Sequence, residues 1–196
     1  VNKIQAGNLK VGLQYWDGSK YVDAKNVSLF SDETLWEPGH AEVVYLKVIN
    51  QGNLALKYKL NTFDTWEWKT AKNSDGETIL LSKYLQIGVV KNKNAANGTY
   101  GDRQEAVAAA AGNLVSYDSY TEYNTLLPAE NGSESADYLA FVVYMPTTVG
   151  NEANSVNGYN PAIRFNLALN ATQVDHEEDS FGRDYDENVP YPVAGA

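Results

Sequence analysis

Cysteine is absent from this 196-residue chain, and with only two histidines and one methionine the soft and imidazole ligands are scarce. Without cysteine there is no disulfide framework and no thiolate metal or redox site, although secretion is not excluded thereby. His40 and His176 are too few for a His-Glu-x-x-His zinc motif in any case. After His176 come Glu177, Glu178 and Asp179, and Ser180 stands where the second ligand belongs. Both are read as surface histidines rather than as two ligands of a zinc site completed by a distant carboxylate. Basic residues are also in deficit, 15 against 25 acids, which leaves a net charge of −10 and argues against a nucleic-acid partner. Long apolar runs are missing: the clearest, Tyr138–Pro146, falls far short of the roughly 18 residues a membrane span requires. No Gly-x-Ser-x-Gly elbow, phosphate-binding loop or dinucleotide fingerprint occurs. A glycosidase carboxylate pair cannot be picked out from 25 acids. The expectation is a protein without catalytic residues, cofactor or metal.

What the chain has in quantity is β-forming sequence. Glu37-Pro38-Gly39 is a turn, because proline presets φ and glycine tolerates φ > 0. Ala41–Ile49 then alternates Val44, Leu46 and Val48 with Val43, Tyr45, Lys47 and Ile49, the pattern of a central strand with both faces covered. Asn50-Gln51-Gly52-Asn53 breaks it. Leu54, Leu56, Tyr58 and Leu60 follow in alternation with polar residues, so a half-exposed partner strand is expected, the two forming a nucleating pair.

Elsewhere, Leu9–Trp16 reads as a strand, Asp17-Gly18 as a two-residue hairpin turn with Lys20–Asp23 returning, and Val27–Phe30 as a short apolar strand. Lys69–Glu77 is a loop, Thr78–Lys83 a helical turn and Tyr84–Val90 a strand. Asp102-Arg103-Gln104-Glu105 has the spacing of a capping box ahead of the alanine run to Ala111, with Gly112 as the stop, so one short helix is expected at 103–111. Leu114–Ser135 is mixed and polar. Tyr138–Met145 has the composition of a buried strand, Thr147–Asn160 is a loop, and Ile163, Phe165, Leu167 and Leu169 form the cleanest alternating face. The expected fold is mainly β, an antiparallel sandwich with one helix and loop insertions, over residues 1–174. Residues 175–196 form an acidic, proline-containing tail: Asp175–Glu187 holds seven acids against Arg183, a formal −6. Such a stretch is either a solvated tail or a docking segment for a cation or partner, and it lacks EF-hand spacing.

Three segments together carry a resemblance. Leu35-Trp36-Glu37-Pro38-Gly39, a strand, and Asn50-Gln51-Gly52-Asn53-Leu54-Ala55-Leu56-Lys57 resemble the signature of the TasA/camelysin family of secreted Gram-positive proteins. Ile4–Val11 is similar to that family's first strand and Ile163–Gln173 to its last, including Ala171-Thr172-Gln173. The resemblance implies a jelly roll, a signal peptide removed ahead of the mature chain, and an extracellular or cell-surface location. It further implies a biofilm-matrix fibre subunit that polymerises with itself when an N-terminal extended segment completes the sheet of the next subunit, with other matrix proteins or cell-surface glycans as further partners. The positions matching that segment are Val1, Asn2, Lys3, Ile4, Gln5 and Ala6, with Ile4 as apolar anchor. Camelysin has been classed with metallopeptidases, but no motif here carries that activity over. Sortase anchoring is not expected either, since Leu127-Pro128 is followed by Ala129-Glu130.

The aromatic inventory, four tryptophans and fourteen tyrosines, leaves a second functional class open. Trp66 and Trp68 lie two apart, on one face of an extended segment, where they are placed to stack on a sugar ring or a neighbouring subunit. The opposing reading is that they fill the core or cover a sheet edge, as strand aromatics commonly do.

Overall fold

The computed structural model describes residues 10–30, 35–52, 54–92, 99–129 and 134–173. Its strands are β1 (Val11–Trp16), β2 (Tyr21–Asp23), β3 (Ala41–Asn50), β4 (Leu56–Glu67), β5 (Gln86–Lys91), β6 (Val115–Ser116), β7 (Tyr123–Leu127), β8 (Ser135–Tyr144) and β9 (Ile163–Gln173). A single helix among the described residues, α1 (Arg103–Ala110), lies between β5 and β6. All named pairings are antiparallel, in a six-stranded sheet ordered β2-β1-β3-β8-β5-β6 and a three-stranded sheet ordered β7-β4-β9. The protein is mainly β, as its sequence implies.

The two sheets pack across one core. From the larger sheet come Val11, Leu13, Val44, Leu46, Val48, Ile87, Val89, Leu139, Phe141 and Val143; from the smaller, Leu56, Tyr58, Leu60, Leu127, Phe165, Leu167, Leu169 and Ala171. Each set follows the two-residue period of its strand, so burial of one face holds the register. β3 is central, paired with β8 along its whole length on one side and with β1 over Leu46–Asn50 on the other, and its second face carries Val43 and Tyr45 into a smaller cluster under α1. There Ala106 and Ala110 pack on Val90, Ala140 and Val142. Gly88 of β5 is required by that packing, because a Cβ would meet the Leu114 side chain at 3.1 Å and the Asn113 backbone at 3.3 Å.

Local signals read from the sequence are realised with adjustments. The Glu37–His40 turn closes with the His40 amide donating to the Glu37 carbonyl at 2.9 Å, and Gly39 supplies φ 91°. Asp102 Oδ1 accepts from the Glu105 amide at 2.7 Å, but the reciprocal arm lands one residue earlier, Glu105 Oε2 accepting from the Gly101 amide at 2.7 Å. The helix runs to Ala110, and Gly112 does not adopt the left-handed conformation of a glycine stop. The first hairpin has Trp16 opposite Tyr21, so its loop is the four residues Asp17–Lys20 rather than two.

Two expectations are overturned. β3 and β4 do not form a hairpin: they belong to opposite sheets, and Asn50 stitches the crossing by donating to the Leu54 carbonyl at 2.9 Å and accepting from the Gly52 amide. Each strand has one strongly apolar face, and facing the two across the core buries both, which pairing them edge to edge would not. Val27–Phe30 is not a strand. Its apolar residues serve as a plug, Phe30 lying 6.2 Å from Phe141 and 5.5 Å from Phe165 between ring centroids.

The described chain begins and ends at the same end of the molecule. Val11 faces Asn50, the Gln51 amide donates to the Lys10 carbonyl, and Leu56 faces Gln173. Glu67, Ile163 and the β4 exit lie at the opposite end.

Candidate functional site

At that opposite end the pairing of β4 with β9 slips by one residue. Phe63 faces Asn166 but Trp66 faces Arg164, so β4 carries one extra residue in a β-bulge. Asp64 forms it with φ 53°, a left-handed conformation that aspartate tolerates better than most residues. Asn166 Nδ2 donates to Asp64 Oδ2 at 3.2 Å and braces the turn.

The slip exchanges the faces of everything beyond it. Before it, Leu56, Tyr58 and Leu60 point into the core; after it, the same parity points outward. Trp66 and Trp68 are therefore 47 % and 40 % exposed, while Thr65 and Glu67 turn to the other face. Thr65 Oγ1 shares a 2.7 Å hydrogen bond with the Tyr117 hydroxyl. Glu67 accepts from the Ser82 amide at 2.9 Å and from its hydroxyl at 2.8 Å. The tryptophans thus do not fill the core. They pack edge to face, centroids 4.0 Å apart at 83°, with the Arg164 guanidinium 5.9 Å from the centre of the Trp66 ring.

The surrounding loops are tied to one another. The Trp68 amide donates to the Ala162 carbonyl, the Val156 amide to the Lys72 carbonyl, and Asn157 accepts from the Lys72 amide while donating to the Thr70 carbonyl. Val156 and Tyr159, 65 % and 58 % exposed, lie on the second of these braced segments. Back along the outer face of the three-stranded sheet the register places Phe63, Asn61, Asn166 and Asn170, with Asn170 donating to Asn61 at 3.1 Å.

Other polar groupings hold the fold. Asp137, only 5 % exposed, accepts from the Tyr58 hydroxyl at 2.9 Å and pairs with Lys91 at 2.6 Å, joining the two sheets through the core. Glu42 lies between His40 at 2.8 Å and Arg103 at 3.3 Å, tying the Glu37–His40 turn to α1, with Gln104 donating to the Gly39 carbonyl. Tyr21 is held protonated up to about pH 12, first by burial and next by the nearby Tyr138 hydroxyl. Burial likewise pushes the Tyr120 hydroxyl well above its ordinary range. Among the described residues no three His, Asp or Glu side chains gather as a metal ion would require, and no helix is long and apolar enough to cross a membrane.

Of the residues singled out from the sequence, Trp66 and Trp68 come together at the surface. Val1, Asn2, Lys3, Ile4, Gln5 and Ala6, His176 and the acidic stretch Asp175–Glu187 lie outside the described residues. Asp64, Arg164 and Asn166 were not legible as site residues, since their role depends on a pairing slip between segments about a hundred positions apart. Fold and site together define a mainly β protein of two antiparallel sheets whose most distinctive surface is an aromatic pair beside an amide-rich sheet face. Compared with known proteins, the chain matches no family model, no curated protein and no solved structure.

Proposed function

We propose that the protein is a secreted structural subunit of an extracellular fibre or matrix, assembling when the N-terminal segment Val1–Ala6 of one subunit adds a strand to the next. The observation that supports this reading is the imbalance between the sheets. Among the described residues, four strands of the larger sheet, β1, β3, β5 and β8, contribute side chains to the shared core, and three strands of the smaller sheet face them. An eighth core strand would complete the four-on-four arrangement of a jelly roll, the fold that the resemblance to the TasA/camelysin family implies. A strand donated in trans gains main-chain hydrogen bonds along an edge, and an apolar anchor such as Ile4 gains burial. The connectivity is compatible with a polar fibre: residues 1–9 join the described chain at one end of the molecule, so donation to a neighbour propagates in one direction.

The test is negative-stain electron microscopy of the full chain beside one lacking Val1–Ala6, with Ile4→Asp as a point variant. Fibres from the full chain that disappear in both variants are the expected result. Fibres undiminished by the deletion, or none from the full chain under any condition, overturn the reading.

A further inference from the structure

The outer face of the three-stranded sheet, which strand addition at an edge does not use, has a composition of its own. On it Phe63 and Trp66 follow one another along β4 with Trp68 just past its end, and the half-buried amides of Asn61 and Asn170, bonded to each other, lie beyond them, while Asn166 opposite Phe63 is buried and turned to Asp64. We infer that this face is a binding site for an uncharged polysaccharide, which stacks pyranose rings on Trp66 and Trp68 and directs its hydroxyls to Arg164 and the Asn61–Asn170 pair.

Three observations carry the assignment. First, the tryptophans are held in the open at the expense of local regularity: the left-handed Asp64 and its brace from Asn166 reverse the strand's faces, and without the slip Trp66 would face the core. Strained backbone of this kind is found preferentially at functional sites. Second, the rings meet nearly at right angles, forming a corner with Arg164 over Trp66. Flat ring faces with polar groups at their margins match the chemistry of a pyranose, whose axial C–H groups are apolar and whose equatorial hydroxyls both donate and accept. Third, along the sheet the face turns polar beyond Phe63, where Asn61 and Asn170 bond to each other and present amide groups rather than further large apolar surface. Around the pair the chain carries Asp64 and Glu67 before Trp68 and Lys69 after it, with Arg164 opposite Trp66, so both signs of charge are present and neither dominates, which favours a neutral chain over an anionic one. From Trp68 to Asn61 the face runs roughly 20 Å at the usual rise per residue, the bulge adding no rung, long enough for several sugar units. Binding is therefore expected to strengthen with oligosaccharide length.

The experiment uses the full 196-residue chain with cellohexaose, xylohexaose, mannohexaose, laminarihexaose and chitohexaose, followed by tryptophan fluorescence and isothermal titration calorimetry. At least one hexasaccharide is expected to bind with a change in tryptophan emission, and its disaccharide about tenfold more weakly or worse. Trp66→Ala and Trp68→Ala should each lower affinity about tenfold with an unchanged Tm, as loss of one stacking contact implies, and Trp66→Phe should recover part of it. The assignment is overturned if no hexasaccharide binds, if the Trp66→Ala/Trp68→Ala double variant binds as well as the parent, or if only charged polysaccharides bind and salt abolishes the effect. It is overturned equally if sedimentation shows the tryptophans to be needed for self-association and not for sugar binding.

Discussion

Asn166 reaches across the strand pair to Asp64, Nδ2 to Oδ2 at 3.2 Å, and this contact sits on the residue that decides which way Trp66 and Trp68 point. Two opposing contributions meet at Asp64. Its positive φ costs about 1–2 kcal/mol for a residue with a Cβ, and the hydrogen bond returns about 1 kcal/mol. Asp64→Gly removes both and should leave stability within about 1 kcal/mol of the parent. Asp64→Val removes the bond and places a β-branched residue in a left-handed conformation, so a loss of about 2–3 kcal/mol is expected. Urea denaturation of the two variants checks this, and equal midpoints would remove the case for strain at the bulge.

The link between the sheets gives an ordering of effects. Asp137→Ala strands Lys91 and deprives the Tyr58 hydroxyl of its acceptor inside the core, and should cost about 3 kcal/mol. Tyr58→Phe removes one hydrogen bond to a charged acceptor, about 1.5 kcal/mol. Lys91→Met should cost least, because the Lys91 side chain is 43 % exposed and solvent already screens it. Chemical denaturation that ranked Lys91→Met above Asp137→Ala would show that the pair is not held together as described.

Helix α1 depends on its first turn. Asp102→Ala loses the acceptor for the Glu105 amide and should lower stability by about 1 kcal/mol, while Asp102→Asn, which keeps an acceptor, should lower it by less. Near-ultraviolet circular dichroism would register the change through Tyr45 and Tyr100, whose rings lie 6.4 Å apart beside the helix. Identical behaviour of the two variants would mean the cap does not anchor the helix.

Alkaline pH should destabilise the fold through its tyrosines. In the unfolded chain Tyr21 ionises near pH 10, whereas burial and Tyr138 keep it protonated to about 12 in the folded one. Between those values the folded state holds a proton that the unfolded state has released, so this contribution is complete below pH 10 and lost as pH rises to 12. Tyr45, Tyr117 and Tyr120 are displaced in the same direction, chiefly by burial. Thermal melts across this range should show a falling Tm, less steep in Tyr21→Phe, and tyrosinate absorbance should lag behind that of the denatured chain. A Tyr21→Phe variant with the same alkaline slope would refute the assignment to Tyr21.

Much of the architecture could be read in advance where a single segment contains its own evidence. Val44, Leu46 and Val48 on one face and Val43 and Tyr45 on the other did mark a central strand, and the alternation of Ile163 to Leu169 did mark a core face. Asp102 is an N-cap because its side chain needs only an amide three residues away. Tyr123–Leu127 carries no strand signal of its own, because it is short and takes its conformation from pairing with β4. Val27–Phe30 has the composition of a strand without being one, because apolar β-branched and aromatic residues look the same in sequence whether they pair or plug a core. Similarly, the sequence around Asn50–Asn53 does not separate a hairpin between β3 and Leu54–Leu60 from a crossing, because a short break between two alternating runs is equally a hairpin turn or a passage from one sheet to the other.

Composition and alternation by themselves determined that this chain is mainly β, where its principal strands and helix α1 lie, and that it carries no motif of the familiar catalytic kinds, because each of these depends on residues within a few positions of one another. Tertiary structure alone decided which strands share a sheet, that β3 and β4 face each other instead of pairing, and that Trp66 and Trp68 stand in solvent. The reason is that side-chain direction on a strand has period two. One extra residue at Asp64, stabilised by Asn166 on a strand about a hundred positions later, reverses every face beyond it, and no pattern within either segment records the slip.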